Sequence, residues 1–131
     1  NWDIQMQDFL MKISIVDTFT IRLAEMITGA NDAENLIEHA RWMGNFLDEQ
    51  MGANGEKIYK LRDHMRLSML RRMNRKYTKE QIKNVYENAG LFYQLAGRPL
   101  QALEMYEKAD SMERMVSILI DNQQTVRIIM N

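Results

Sequence analysis

The sequence predicts a mainly α-helical fold, with a winged helix of three helices and a β-hairpin followed by antiparallel tetratricopeptide-like α-hairpins. Apolar residues recur at helical spacing through most of the chain. One glycine-rich stretch separates two β-prone segments, and small and aromatic residues near the end follow tetratricopeptide-like spacing. We assign residues 1–75 to the winged helix and residues 76–131 to the tetratricopeptide-like helical start of a superhelix.

The first third of the chain predicts three helices. The first covers residues 3–16, where apolar residues mostly follow helical spacing. The second ends at Gly29, since glycine is typical of helix C-termini. The third begins after Asn31 or Asp32, which are good N-caps, and ends near Gly44.

A β-hairpin is predicted over residues 46–61, FLDEQMGANGEKIYKL. We expect Gly52 and Gly55 to supply the positive φ angles of a tight loop, and Ile58 and Tyr59 favour a strand. Three helices followed by a two-stranded ribbon are the outline of a winged helix.

The rest of the chain is predicted to be helical. A fourth helix covers residues 62–77, a fifth opens with Thr78 as N-cap and closes at Gly97, and Pro99 starts a sixth. Residues 112–130 form one more helix, or two helices broken near DNQQ. On the fourth helix one side carries the apolar residues Met65, Leu67, Met69, Leu70 and Met73.

The fifth and sixth helices carry the spacing of a tetratricopeptide unit. Small residues let two antiparallel helices approach closely, while aromatic residues fill the flanking space. This pattern fits either an ordinary tight helical hairpin or the first repeat of a superhelix. A repeat needs neighbours to bury its apolar face, so a single repeat implies further repeats or another packing partner. The predicted packing residues are Tyr86, Ala89, Gly90, Tyr93, Ala102, Tyr106 and Ala109.

Composition excludes several classes of function. The chain has no cysteine, which excludes disulfides and thiolate chemistry and fits a reducing cytoplasm. No apolar run approaches the roughly 20 residues that span a bilayer, so we expect no membrane partner. The chain opens on Asn1 without a signal-peptide pattern, and we therefore expect a fragment of a longer cytoplasmic protein.

No pattern of catalytic or metal-binding residues appears. His39 and His64 lack a second ligand at metal-binding spacing, and the chain has no glycine-rich phosphate loop and no nucleophile motif. We therefore predict no catalytic residue, no metal site and no enzymatic activity for this chain.

A basic segment covers residues 57–79, with nine Lys or Arg residues against one Asp. On a winged helix this suggests DNA binding, but base readout would come from the third helix, which carries Glu34, Glu38 and Trp42. Because acidic side chains repel phosphates, we favour a solvated or interdomain basic face. The basic residues are Lys57, Lys60, Arg62, Arg66, Arg71, Arg72, Arg75, Lys76 and Lys79.

The succession of segments resembles one protein family. The segments are DFLMKISIVDTF, LAEMITGAND, KIYKLRDHMRLSMLRR and YENAGLFYQLAGRPLQALEMYEKADSMERMVSIL. In this order they resemble the winged-helix and first-repeat region of large LuxR-type ATP-dependent transcriptional regulators, built like the maltose-regulon activator. These regulators belong to the STAND class of signal-transducing ATPases.

The resemblance implies a longer parent protein. An adjacent nucleotide-binding module would bind ATP or ADP, and the winged helix would pack against it. Further helical repeats would sense a small-molecule or protein inducer, and a C-terminal helix-turn-helix would bind DNA. The chain would couple the nucleotide-binding module to the sensor without a cofactor of its own.

The resemblance also implies a nucleotide contact. Many members of this class place a histidine after the second strand of the wing, where it reaches the nucleotide phosphates. Aligned on Tyr59, this position is Arg62, and aligned on the following helix it comes closer to His64. Arginine can hydrogen-bond phosphate oxygens bidentately, so both residues are candidates.

Two other functions stay open. One is a small DNA-binding winged-helix regulator with a helical dimerisation tail, for which duplex binding would depend steeply on salt. The other is a tetratricopeptide-type module that grips a peptide in its groove.

Overall fold

The computed structural model describes residues 3–123 and Arg127 of the 131-residue chain. The described residues form seven helices and one two-stranded antiparallel sheet, which confirms the predicted fold class. The elements are α1 (Ile4–Ile13), α2 (Ile21–Thr28), α3 (Ala33–Met43), β1 (Leu47–Met51), β2 (Lys57–Leu61), α4 (Asp63–Lys76), α5 (Lys79–Leu95), α6 (Pro99–Lys108) and α7 (Met112–Asp121).

The chain divides into two compact units, Asn1–Thr78 and Lys79–Asn131. The first contains α1 to α4 and the hairpin, and the second contains α5 to α7. The domain limits drawn from the sequence, 1–75 and 76–131, stay a prediction.

Local capping sets the ends of the first two helices. The Asp3 carboxylate accepts a hydrogen bond from the Met6 N–H at 2.8 Å and begins α1. The Thr20 hydroxyl accepts one from the Leu23 N–H at 3.2 Å and begins α2. Gly29, with φ at 73°, ends α2 in the left-handed conformation that the sequence predicts.

Helix α1 is shorter than its apolar pattern predicts, because it ends at Ile13 rather than residue 16. The chain turns after Ser14, whose hydroxyl donates to the Met11 carbonyl at 2.5 Å. Ile15 and Val16 are nevertheless buried, so they continue the apolar pattern without continuing the helix.

The core of the first unit forms around α1, which packs against α2, α3 and α4. Burying a large apolar side chain stabilises a fold by roughly 1.5–3 kcal/mol. Burial of the core side chains therefore stabilises the packing of α1 against the other three helices. The α1 members of this core are Met6, Phe9, Leu10, Met11 and Ile13.

The hairpin pairs β1 with β2 in antiparallel register, with Leu47 opposite Leu61. A further bridge, which the sequence reading missed, joins Phe19 to Tyr59 through two backbone hydrogen bonds of 2.9 and 2.8 Å. Their rings stack with centroids 5.8 Å apart. The edge of β2 that does not pair with β1 is therefore hydrogen-bonded to the segment between α1 and α2.

The hairpin loop corrects one expectation about glycine. Gly55 has a φ of 81°, but Gly52 does not adopt positive φ. A Cβ at Gly52 would lie 2.9 Å from the Ile58 Cδ1 atom and 3.2 Å from the Glu56 carbonyl oxygen. Gly52 is therefore required for space across the hairpin and not for left-handed backbone geometry.

Helix α4 corrects another expectation, since Leu67 is exposed while Met69 and Met73 are buried. Successive helical residues are rotated by about 100°, so residue 67 lies about 200° away from residues 65 and 69. The inward face of α4 therefore follows the spacing of 65, 69 and 73.

In the second unit, α5 and α6 form a helical hairpin and α7 packs against α6. Gly97, with φ at 72°, turns the chain between α5 and α6, and Pro99 opens α6 as predicted. Asp110 adopts a positive φ of 56° between α6 and α7, which the sequence reading did not anticipate. Helix α7 ends at Asp121, with Asn122 as its C-cap, where the sequence offers a break near DNQQ; residues 124–126 and 128–131 lie outside the described residues.

Candidate functional site

The predicted phosphate-contact residues lie at the base of the hairpin, where β2 passes into α4. Arg62 follows β2 directly, and its backbone N–H donates to the Phe46 carbonyl at 2.8 Å. His64 is the second residue of α4 and is exposed.

The guanidinium of Arg62 is already engaged by a carboxylate. Its Nε lies 3.2 and 3.3 Å from the two Asp48 carboxylate oxygens, and its Nη2 lies 3.0 Å from Oδ1. Both side chains are exposed to solvent, at 40% for Arg62 and 54% for Asp48. The hydrogen bond from Arg62 holds the pKa of the Asp48 carboxyl below its ordinary value, and Asp48 raises the pKa of Arg62.

The structure does not join Arg62 and His64 through a polar contact. Within the described chain, His64 has no hydrogen bond and no ion pair, so its imidazole is open to a ligand. An anion at Arg62 would instead compete with Asp48 for the same guanidinium.

The predicted repeat residues meet along the α5–α6 hairpin. A Cβ at Gly90 would lie 2.4 Å from the Tyr106 ring, so only glycine fits there without displacing the ring. The Tyr106 hydroxyl donates to the Gln94 side-chain oxygen at 2.8 Å. Tyr106, Ala89 and Ala102 are fully buried.

The other predicted repeat residues lie at the margins of this hairpin. Tyr93 is buried, Arg98 stacks over its ring at 5.3 Å, and burial raises the pKa of its hydroxyl although Arg98 opposes this shift. Ala109 is buried and Tyr86 is half-buried.

A polar cluster, which the sequence did not predict, links the start of α7 to α5. The Ser111 hydroxyl donates to Glu87 Oε2 at 2.6 Å, and Arg114 Nε lies 3.2 Å from the same oxygen. The Arg114 guanidinium also stacks over the Tyr106 ring at 5.7 Å. A serine before a helix signals a cap, but nothing in the sequence indicates a partner 24 residues away.

Helix α3 carries an ion-pair network rather than a surface suited to bases. Arg41 contacts both Glu38 and Glu49 at 3.2 Å, and Lys57 lies 3.5 Å from Glu49. Trp42, next to Arg41, is 86% exposed. This helix presents carboxylates and an indole where a DNA-reading winged helix would present groups that contact bases.

The described residues lack two kinds of feature. Those residues contain no group of three or more His, Cys, Asp or Glu side chains that could hold a metal ion. Of the helices described, none is long and apolar enough to cross a membrane.

The N-terminal part of the chain matches a known protein family. Residues 1–81 match the family described as the MalT winged helix domain. The match covers more than half of the chain, including α1 to α4 and the hairpin, and ends just inside α5. No curated protein matched the chain.

Proposed function

The chain belongs to the MalT winged helix domain family, and from this membership we propose that it is a regulatory part of a LuxR-type, ATP-dependent transcription regulator of the STAND class. It couples an adjacent nucleotide-binding module to a helical-repeat sensor in the cytoplasm. It performs no catalytic step, and sequence-specific DNA recognition by the parent protein belongs to a separate C-terminal helix-turn-helix.

The match to the winged helix domain carries this proposal, and the surface of α3 supports it. The Trp42 indole is exposed, and tryptophan is enriched among the residues that contribute most of the binding energy at protein interfaces. The carboxylates around it disfavour a nucleic-acid partner for this helix. We propose that the nucleotide-binding module of the parent covers Trp42.

The exposed face of α7 supports the proposed sensor array. Four large apolar side chains on this helix are exposed, and their spacing of i, i+4, i+7 and i+8 places them on one side. In a helical-repeat array the next repeat covers such a face, because each unit buries its apolar side only against neighbours. The four residues are Met112, Val116, Leu119 and Ile120.

For the nucleotide contact, we propose that His64 meets a phosphate of ADP or ATP in the parent protein. Its imidazole is exposed and unpaired in the described chain, whereas Arg62 is held by Asp48. Arg62 reaches the phosphate only if Asp48 releases it. Nucleotide state then passes to the sensor through a rearrangement of the winged helix against its neighbour.

Nucleotide binding by the full-length parent protein tests this proposal. Replacing His64 with Ala should weaken binding of a fluorescent ADP by about tenfold, the loss of roughly one charged hydrogen bond. The matched control is His39→Ala, which removes an exposed histidine from α3. Asp48→Asn frees Arg62 and should strengthen binding only if Arg62 also meets the phosphate.

Two outcomes would contradict the proposal. One is a parent gene that encodes neither an upstream phosphate loop nor a downstream helix-turn-helix. The other is equal ADP affinity in the parent protein and its His64→Ala variant, which would contradict the His64 contact.

A further inference from the structure

One face of α4 carries four exposed cations that have no partner. Within the described chain none of them forms a salt bridge or a hydrogen bond. They lie in residues 57–79, a segment that contains nine basic residues and a single acidic residue. The four residues, called the α4 basic face below, are Arg71, Arg72, Arg75 and Lys76.

Several other basic side chains of the first unit do have partners within the described chain. Arg41, Lys57 and Arg62 form ion pairs with carboxylates. Arg66, on the same helix, donates from its Nε to the Val16 carbonyl at 3.2 Å. The fold therefore provides partners for these four cations but not for the α4 basic face.

Helix stability does not account for the face. Arg75 and Lys76 lie in the last turn, where cations interact favourably with the helix dipole, but Arg71 and Arg72 lie before that turn. Residues 71 and 75 are like-charged neighbours, as are residues 72 and 76, and each such pair destabilises a helix by about 0.2–0.5 kcal/mol. An anionic partner would remove this repulsion.

The chemistry of the face favours phosphates over a protein surface. Leu67 is the one exposed large apolar residue of α4, whereas the centre of a protein interface is apolar or aromatic and depleted of charge. Surfaces that bind nucleic acids are polar and strongly basic. Arginine binds phosphate oxygens bidentately, and residues four apart lie about 6 Å apart along a helix.

From these observations we propose that the α4 basic face binds the phosphate backbone of nucleic acid without reading its sequence. Base readout is excluded from the proposal, because it would require the acidic helix α3. This binding is separate from the nucleotide contact of His64. It would hold the winged helix near DNA that another part of the parent recognises.

Fluorescence anisotropy of the 131-residue chain with a random-sequence duplex of about 20 base pairs tests the proposal. Four phosphate contacts predict a loss of about 100-fold in affinity between about 50 and 200 mM NaCl. The variant Arg71→Gln/Arg72→Gln should reduce the slope of log affinity against log salt concentration by about 2. Its thermal unfolding temperature should be unchanged or higher, since repulsion is removed.

Two further variants complete the experiment. Arg22→Gln/Lys108→Gln removes the same number of exposed charges elsewhere and should leave the salt slope unchanged. Arg71→Lys/Arg72→Lys keeps the charges and should keep most of the salt slope.

Three results would overturn the proposal. The first is no binding at about 50 mM NaCl, and the second is an equal reduction of the salt slope by the control variant. The third is a polyglutamate peptide of matched charge that binds as tightly as the duplex, because the partner would then be an acidic protein surface.

Discussion

Gly90 sets how closely α5 and α6 approach. An alanine in a helix interior normally stabilises the helix by about 1 kcal/mol relative to glycine. At Gly90, however, the added Cβ would lie 2.4 Å from the Tyr106 ring. We therefore expect Gly90→Ala to lower the free energy of unfolding by about 1–3 kcal/mol, measured by urea denaturation.

A matched substitution at an exposed position of α5 controls for helix propensity. Asn84→Ala should be neutral or slightly stabilising. If the Tyr106 ring causes the penalty, Gly90→Ala should cost less when Tyr106 is already Leu. An equal cost in both backgrounds would contradict this explanation.

Tyr77 ties the end of α4 to α1 through a hydrogen bond that its hydroxyl donates to the Asp8 carboxylate. Burial, together with this hydrogen bond, raises the pKa of Tyr77 well above its ordinary value of 10.0. Above pH 10 the unfolded chain therefore loses this proton while the folded chain keeps it. Stability is full below pH 10 and falls as pH rises above it.

We expect Tyr77→Phe to lower the free energy of unfolding at pH 7 by about 0.5–1.5 kcal/mol. Between pH 10 and 11 the variant should lose less additional stability than the unmodified protein. Burial also raises the pKa of Tyr59 and of Tyr93, so a smaller decline should persist. Identical pH profiles from chemical denaturation would exclude the Tyr77 contribution.

Among the elements, α7 depends on one carboxylate for its polar attachment to α5. Glu87 accepts from Ser111 and pairs with Arg114, at the start of α7. Glu87→Ala leaves both donors without this partner, and we expect faster hydrogen exchange in residues 112–121 by about tenfold. Exchange in the α5–α6 hairpin should change less.

Glu104→Ala is the control within the same unit. Glu104 pairs with Lys108 at 3.8 Å on the surface, and exposed pairs of this kind contribute about 0–1 kcal/mol. Hydrogen exchange in α7 should therefore be unchanged in this variant. Equally faster hydrogen exchange in α7 in both variants would contradict a specific role of Glu87 in holding α7 against α5.

At the scale of the whole molecule, each unit has its own buried core. In the first unit α1 packs against the three other helices, and in the second α6 packs against both α5 and α7. We expect residues 1–78 alone to unfold cooperatively, followed by near-ultraviolet circular dichroism. Residues 79–131 alone should be marginal, because a unit this small buries too little surface. A non-cooperative transition of 1–78 would contradict this expectation.

The net charge of the whole molecule does not show how its basic residues are distributed along the chain. The chain carries a net charge of −1, yet its basic residues concentrate in residues 57–79. The sequence reveals this concentration directly. Only the structure shows that Lys57 and Arg62 are paired while Arg71 and Arg72 are not.

Much of the fold could be predicted because its signals are local. The left-handed Gly29, the first-turn Pro99 and the strand-favouring Ile58 act on their immediate neighbours. Helical periodicity likewise depends on residues three or four apart. These local signals by themselves determined the element order and hence the winged-helix outline.

Tertiary structure decided the features that depend on residues distant in sequence. Phe19 bridges Tyr59, Ser111 meets Glu87, and Asp48 engages Arg62, yet no local pattern records these pairings. The role of Gly52 also depends on the position of the opposite strand. A sequence specifies which groups are present, but their partners follow from how the packed elements bring them together. For this chain, that packing decided which cations are left free on α4.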